Sequence, residues 1–359
     1  MSPRPSKLNS PPASLCILRL SAIGDVTHMV PVIHSLRQAR PECAVTWIIG
    51  RLEASLVSDL PGVEFIIFDK AKGPAAFLEL RRRLRGRRFD VLLDMQVAMR
   101  ANLISLLVDA PLKLGFDRAR AHDLQWLFTN RRIPAQIRPH VLDGFLAFVE
   151  TLGIAERCLR WNLPVPQEAA AFADKALPPD RGWLAINPCS SARLLNWRNW
   201  PAENYARVAQ YAATRYNLGI VLTGGPAEQE RMTAQAIRAA APRIDFVDLV
   251  GKTSLKQLLA VLGRSTALIS PDTGPAHIAT AADTPVIGLY ATSNPLRTGP
   301  YLSQHYVINK YPEALRKYSG KSVEEVRWGQ RVRHPEAMSL ITVDEVIAML
   351  DRVMADLKN

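Results

Sequence analysis

Twice along its 359 residues the chain alternates short, wholly apolar runs with longer segments whose apolar side chains recur every three or four positions. The first series has strand-like runs at 15–20 ("LCILRL"), 44–49 ("AVTWII"), 64–68, 91–94 and 112–116, with helical patterns at 28–39, 75–85 and 98–108 among them. Short apolar runs without polar alternation read as strands covered on both faces. Helical crossovers between such strands imply a parallel sheet with helices on both sides. The proline-bounded stretch "LPVPQEAAAFADKALPPDRG", 163–182, reads as a connector containing a short helix. The alternation then restarts, with strands predicted at 183–187, 219–223, 245–249, 267–270 and 286–290 and helices at 202–216, 226–240, 254–263 and 275–282. Residues 342–357 have the spacing of a packed amphipathic helix, with Thr342 or Asp344 as its start signal.

The fold class predicted is α/β, two doubly wound domains at 15–162 and 183–340, with a leader at 1–14, a linker at 163–182 and a closing helix at 341–359. No internal sequence repeat is visible, so the duplication is one of architecture. In open parallel sheets ligands bind at the carboxyl ends of strands. With two such domains, the expected site is the cleft between them.

Composition narrows the functional classes. No apolar run reaches the ~18–20 residues of a membrane span. The start, "MSPRPSKLNSPPAS", is polar and proline-rich, which predicts a disordered leader without the apolar core of a signal peptide. Cys16, Cys43, Cys158 and Cys189 lack metal-ligand spacing, which fits a reduced, cytoplasmic protein. The net charge of +12 is spread along the chain, with 21 Lys and Arg against 14 Asp and Glu in 1–150 and 24 against 19 in the rest. Its densest cluster, "RRRLRGRRF" at 81–89, is either a solvated helix end or a contact for an anionic partner. No nucleic-acid-binding motif accompanies it, so acidic lipid or phosphorylated sugar is the better partner.

Four constellations at predicted strand ends carry possible chemistry. In "LRLSAIGDVTH", Asp25 follows the first strand and Gly24 allows close approach to the backbone. Asp25 is either the cap of the next helix or a general base for a hydroxyl. In "SPDTGPAHIATA", the turn Asp272-Thr273-Gly274 leads into a helix starting near Pro275. That arrangement offers free N–H groups and a positive dipole end to a phosphate. Thr273 adds a hydroxyl, Asp272 is expected to orient the loop by accepting backbone N–H bonds, and His277 either donates to a phosphate oxygen or packs as a neutral residue. In "NPCSSARLLNWRNWPAENY", Arg193 and Arg198 follow a strand, and Arg198 is placed to neutralise a leaving diphosphate or is a surface residue beside an anchored turn. In "LTGGPAEQE", Glu228 or Glu230 is a candidate for a ribose hydroxyl, with helix capping the alternative, above all for Glu230. Neither a dinucleotide glycine fingerprint nor a P-loop is present.

Taken together, "LRLSAIGDVTHMVPVIHSLR", "NPCSSARLLNWRNWPAENY", "LTGGPAEQE" and "SPDTGPAHIATAADTPVIGLYATSNPLRTGPY" resemble the family 9 glycosyltransferases, over about residues 15–357. The resemblance implies a GT-B fold, two Rossmann-like domains facing a central cleft, and an inverting mechanism with no required metal. It implies ADP-heptose as donor and the lipid A-linked inner core of lipopolysaccharide as acceptor, at the cytoplasmic face of the inner membrane. On it, Asp25 corresponds to the catalytic base. Arg198, Glu228, Asp272, Thr273, Gly274 and His277 correspond to the donor side, in the C-terminal domain. "DMQVAMR", with Asp94, Gln96 and Arg100, resembles the acceptor-side loop, and Gly24, Arg118 and Arg120 join it in the N-terminal domain. The cluster at 81–89 and these arginines are expected to face the anionic acceptor or a membrane surface. Two features depart from the family pattern: "NPCSS" stands where Pro-Gly-Ala is usual, and the basic, aromatic-rich 310–337 looks like an addition. The alternatives are a different nucleotide-sugar donor, a nucleotide-sugar epimerase or hydrolase, and a catalytically silent protein that binds glycan or anionic lipid.

Overall fold

The structure is a computed structural model that describes residues 11–190 and 197–358. The predicted leader falls largely on residues 1–10, outside the described residues. The chain divides into two compact units, one reaching Pro164 and the other starting at Val165.

The first unit runs β1 (Ser14–Leu18), α1 (Ile23–Ala39), β2 (Ala44–Gly50), α2 (Arg51–Val57), β3 (Val63–Phe68), α3 (Pro74–Leu84), β4 (Val91–Asp94), α4 (Met99–Ser105), β5 (Leu112–Gly115), β6 (Arg131–Arg132) and α5 (Val141–Thr151). Its sheet has the order β3-β2-β1-β4-β5-β6 and is parallel throughout. The apolar runs become its central strands because both faces are covered: Cys16, Leu18, Ile48, Ile66 and Leu92 pack with Leu80 and Leu84 of α3 and Ala101 and Ile104 of α4. Helices α1 and α5 pack together as a second layer. Among the buried side chains is Trp47, whose indole N–H donates to the Arg19 carbonyl oxygen at 3.0 Å, so the largest core side chain also leaves no polar atom unmet.

The second unit runs α6 (Gln167–Ala176), β7 (Trp183–Ile186), α7 (Ala202–Tyr216), β8 (Gly219–Leu222), α8 (Glu228–Ala240), β9 (Phe246–Asp248), α9 (Leu255–Gly263), β10 (Ala267–Pro271), α10 (Gly274–Ala281), β11 (Val286–Tyr290), α11 (Pro295–Thr298), β12 (Val307–Asn309), α12 (Tyr311–Ser319) and α13 (Val343–Asp356). Its order, β12-β11-β10-β7-β8-β9, is the winding of the first sheet repeated: the first strand lies between the second and the fourth. The stretch read as a connector, 163–182, contains α6, which packs on α9 and is tied to it by the Asp174–Arg264 ion pair at 2.6 Å. The closing helix α13 is integral to this unit. Thr342 caps it by accepting the Glu345 N–H, it packs on α7, and its Asp351 accepts hydrogen bonds from the Tyr211 and Tyr216 hydroxyls.

Two placements differ from the sequence reading. Helix α1 begins at Ile23 rather than at 28, so Asp25 is in its first turn and is not the cap. The cluster 81–88 lies at the end of α3 and just before β4, at the amino edge of the first sheet. Arg87 is bound there to Glu64 near the start of β3, at 2.7 Å from Nη1. The basic side chains in the last turn of α3 suit the negative end of its dipole. Because a crossover helix returns the chain from the carboxyl to the amino edge, this cluster cannot share an edge with Arg100 and Arg118. Those two follow the carboxyl ends of β4 and β5.

Candidate active site

In a doubly wound sheet the connections leave the first and fourth strands in opposite directions, which opens a crevice at their carboxyl ends. Asp25, Asp94 and Gln96 sit at that point in the first sheet, and Arg198 meets the Asp272 loop at the same point in the second.

In the first unit an arginine that the sequence reading passed over organises the crevice. Arg19, the residue after β1, is buried. Its Nη1 donates to the Met95 carbonyl at 2.6 Å, its Nη2 pairs with the Asp25 carboxylate, and its guanidinium lies 4.9 Å from the centre of the Phe145 ring. Asp25 also accepts the Ala22 N–H at 3.3 Å, closing the start of a helix whose cap residue has no polar side chain. The Asp25 side chain keeps 29% of its surface exposed. Gly24 is half-buried beside it, and its carbonyl accepts the Thr27 hydroxyl at 2.6 Å. The result is a carboxylate of fixed orientation, open to solvent on one side, on the first turn of a helix.

The acceptor-side candidates divide. Asp94 is fully buried, and neither carboxyl oxygen has a hydrogen-bond partner of good geometry among the described residues. Burial pushes its pKa up to about 7, against smaller opposing effects of the nearby Gln96 N–H, Gln125 amide, Arg19 and Lys113. A group with no exposed surface supports the floor of the crevice and does not itself meet a substrate. Gln96 is half-exposed and accepts the Leu20 N–H at 2.6 Å. Gln125, absent from the sequence reading, is buried and donates to the Asp94 carbonyl at 2.9 Å while accepting the Phe116 N–H at 3.1 Å. Arg100 and Arg118 are exposed. Arg120 is bound to Asp117 and donates to Gln136 at 3.0 Å, so it braces the loop after β5.

In the second unit, Arg198 donates to the Asp272 backbone carbonyl at 2.7 Å and its guanidinium stands 3.4 Å from the Asp272 carboxylate. Asp272 was expected to orient the loop by accepting backbone N–H bonds; its carboxylate faces Arg198 instead, and both side chains are nearly buried, at 10% and 12%. Thr273 is the N-cap of α10, and its hydroxyl forms no capping bond. Gly274 opens the helix, one residue before the predicted Pro275, and His277 is buried one turn in. The two residues after Arg198 are anchored: Trp200 by its indole N–H, which donates to the Ile341 carbonyl at 2.9 Å, and Asn199 by its side-chain oxygen, which accepts the Ser190 N–H at 3.0 Å. Arg193 lies outside the described residues. Glu230 folds back onto the glycine turn and accepts the Gly225 N–H. A Cβ on Gly224 would come within 2.7 Å of that carboxylate, so a side chain there would oblige Glu230 to shift. Burial raises the Glu230 pKa and the Gly225 bond opposes the rise. Glu228, at the first position of α8, is exposed.

The sequence and the fold both have counterparts among known proteins. The glycosyltransferase family 9 (heptosyltransferase) model matches residues 77–326. The chain belongs to this family. It is 40% identical over 342 residues to the lipopolysaccharide core heptosyltransferase OpsX of Haemophilus influenzae, covering 95% of this chain and 97% of that one. Its fold is shared by the family 9 glycosyl transferase of Veillonella parvula, with a TM-score of 0.76 at 22% identity, covering 96% and 97% of the two chains. The Escherichia coli heptosyltransferase WaaC with ADP gives 0.70 at 21% identity, covering 95% and 99%. This family 9 member is therefore a glycosyltransferase of the GT-B class, built from two Rossmann-like domains.

Proposed function

We propose that the protein moves a heptose from ADP-heptose to the lipid A-linked inner core of lipopolysaccharide, with inversion at the anomeric carbon. The observation that carries the reading is the half-open Asp25 carboxylate held by Arg19 at the switch point of the first sheet. OpsX, so similar over nearly its full length, is named for this transfer class, and an ADP-bound relative has the same fold.

The chemistry follows from the residues. The acceptor hydroxyl gives its proton to Asp25 as its oxygen forms a bond to the anomeric carbon. The bond from that carbon to the diphosphate breaks on the opposite face, and ADP leaves with the electron pair. Arg198, the Thr273 hydroxyl and the positive end of α10 stabilise the growing negative charge. His277 supports the same loop from within, and Glu228 faces the ribose. In this reading the first unit binds the acceptor and the second the donor. The charge on the leaving group is met by this chain's own cations and dipoles, so transfer needs no metal and withstands a chelator.

The acceptor is anionic and lipid-linked, and the reading places the protein against the cytoplasmic face of the inner membrane as a peripheral protein. No described helix is long and apolar enough to cross a membrane. Support comes from one surface of the first unit. Met99 and Leu103 of α4 are exposed, as are Leu124, Trp126 and Leu127 in the loop after β5. Asp123 joins the two by accepting the Met99 N–H at 3.1 Å and, through its carbonyl, the Asn102 amide at 2.6 Å. Arg100 and Arg118 are exposed in the same two segments. Apolar side chains rimmed by arginine suit an anionic lipid surface.

The decisive experiment incubates the purified protein with ADP-heptose and a lipid A-linked inner-core acceptor and follows both the product and ADP. Acceptor-dependent ADP release with a heptosylated product is expected. ADP-heptose consumed without acceptor would instead mark a hydrolase or epimerase, and transfer from a UDP- or GDP-sugar alone would replace the donor.

A further inference from the structure

The cluster 81–88 has no place in the chemistry above, but the fold sets it beside other exposed residues. In the first sheet Cys16 pairs with Leu92 and Leu18 with Ile48, so these four side chains share one face. Helices α3 and α4 both cover that face, through Ala76, Leu80 and Leu84 of the first and Ala101 and Ile104 of the second. They belong to one layer, and their opposite sides form one outer surface of the unit. On α3, Leu78 is followed at the spacing of a single helix side by Arg81, Arg82 and Arg85, all exposed. On α4 and its C-cap, Met99, Leu103 and Leu106 keep the same spacing, with the exposed Arg100 beside them. Leu78 and Leu106 leave 57% and 61% of their surface open. The two helices hold one acid, Glu79, and Lys72 binds it at 2.6 Å. The dipole of α3 accounts for basic residues in its last turn, but not for the exposed apolar side chains that share their surface.

A surface that mixes leucine with guanidinium groups fits the boundary between anionic headgroups and acyl chains. The leucines enter the apolar layer and the arginines meet the phosphates. A second copy of the chain fits less well, because a two-fold contact would set arginine against arginine. Nucleic acid fits less well, because leucine and not a stacking aromatic stands among the arginines. We infer that the outer side of α3 and α4 lies on an anionic bilayer and delivers the protein to a lipid-embedded acceptor. This deepens the membrane placement proposed above by adding α3, whose arginines share a face, though not an edge, with Arg100. It rests on the proposed function for the identity of the acceptor and not for the lipid contact.

Flotation of the full chain with vesicles of phosphatidylglycerol or of phosphatidylcholine tests it. The wild type is expected to float with the first and not the second, and to be released by added salt. Changing three arginines together, R81Q/R82Q/R85Q, is expected to weaken that binding by about tenfold to a hundredfold, with an unchanged melting temperature. The apolar pair L78Q/L106Q weakens it several-fold, and Arg207→Gln, exposed on α7 of the second unit, leaves it unchanged. R81Q/R82Q/R85Q is also expected to lose transfer to a lipid A-linked acceptor in anionic vesicles while keeping the wild-type rate on the deacylated inner core in solution. Vesicle binding with no transfer to either acceptor would support the inference and sink the proposed activity instead. No binding to phosphatidylglycerol, equal binding to both lipids, or undiminished binding in R81Q/R82Q/R85Q would each overturn the inference. So would tighter binding to duplex DNA than to anionic vesicles, or a dimer in sedimentation velocity that L78Q/L106Q dissolves.

Discussion

Asp25 follows the first strand of its sheet and Asp272 the fourth strand of a sheet of the same winding; both stand at the switch point and each faces an arginine, yet their surroundings differ. Asp25 is carried on a helix, pairs with Arg19 and keeps 29% of its side chain exposed. Asp272 sits in the turn before a helix, is 10% exposed and is turned toward Arg198, which also holds its backbone. An acid that must meet a hydroxyl needs an open side; an acid that braces a phosphate loop is better enclosed. The repeated fold thus supplies two equivalent crevices, and on the function proposed above burial separates the carboxylate that does chemistry from the one that holds a loop.

The largest effect expected is at Asp25. Asp25→Asn removes the base, and kcat is expected to fall by about 10²–10⁴ with KM for the donor little changed; a loss expressed mainly in donor KM would break the contrast. Arg198→Ala removes both the loop brace and a cation at the leaving group, for an expected loss in kcat/KM of about 10²–10³, read from initial rates of ADP release. Arg19 acts through Asp25, so Arg19→Met is expected to lower kcat by roughly 10²-fold or less through misplacement. It leaves the donor KM in place, which a collapse of the fold would not.

A separate measurement, of stability, sharpens the picture of the floor of the crevice in the first unit. Asp94 titrates at about 7 in the folded chain because burial disfavours its charge, while unfolding returns it to the ordinary carboxylate range near 4. Below about pH 4 both states hold the proton, and this residue has no influence on stability. Between about 4 and 7 the folded state holds the proton and the unfolded state releases it, so stability falls as pH rises, then levels off. Asp94→Asn lacks that slope. Urea unfolding is expected to show the variant gaining on the wild type across this window, by an amount on the order of a few kcal/mol at the top. A gap independent of pH would contradict the burial of an uncompensated carboxyl.

Much of this was legible in the sequence because parallel central strands are apolar on both faces, and their runs announce themselves. Two of the edge strands did not: Arg131–Arg132 and Val307–Asn309 are two and three residues long and owe their form to a neighbour. The start of α1 was hidden because Ala22 has no capping side chain and Asp25 does the work from inside the helix. Arg19 carried a signal, a lone cation between Leu18 and Leu20 at the end of an apolar run. Gln125 carried none, since its role arises only when the loop after β5 meets the end of β4. The cluster 81–88 misled because sequence shows charge density but not which edge of a sheet a crossover reaches.

The central claim is that the first unit supplies the base and the second holds the donor. Its most direct test is ADP binding by calorimetry to Asp25→Asn and Arg198→Ala side by side. Wild-type affinity in the first and a loss of about tenfold or more in the second is the expected result. Equal losses, or a loss confined to Asp25→Asn, would contradict it.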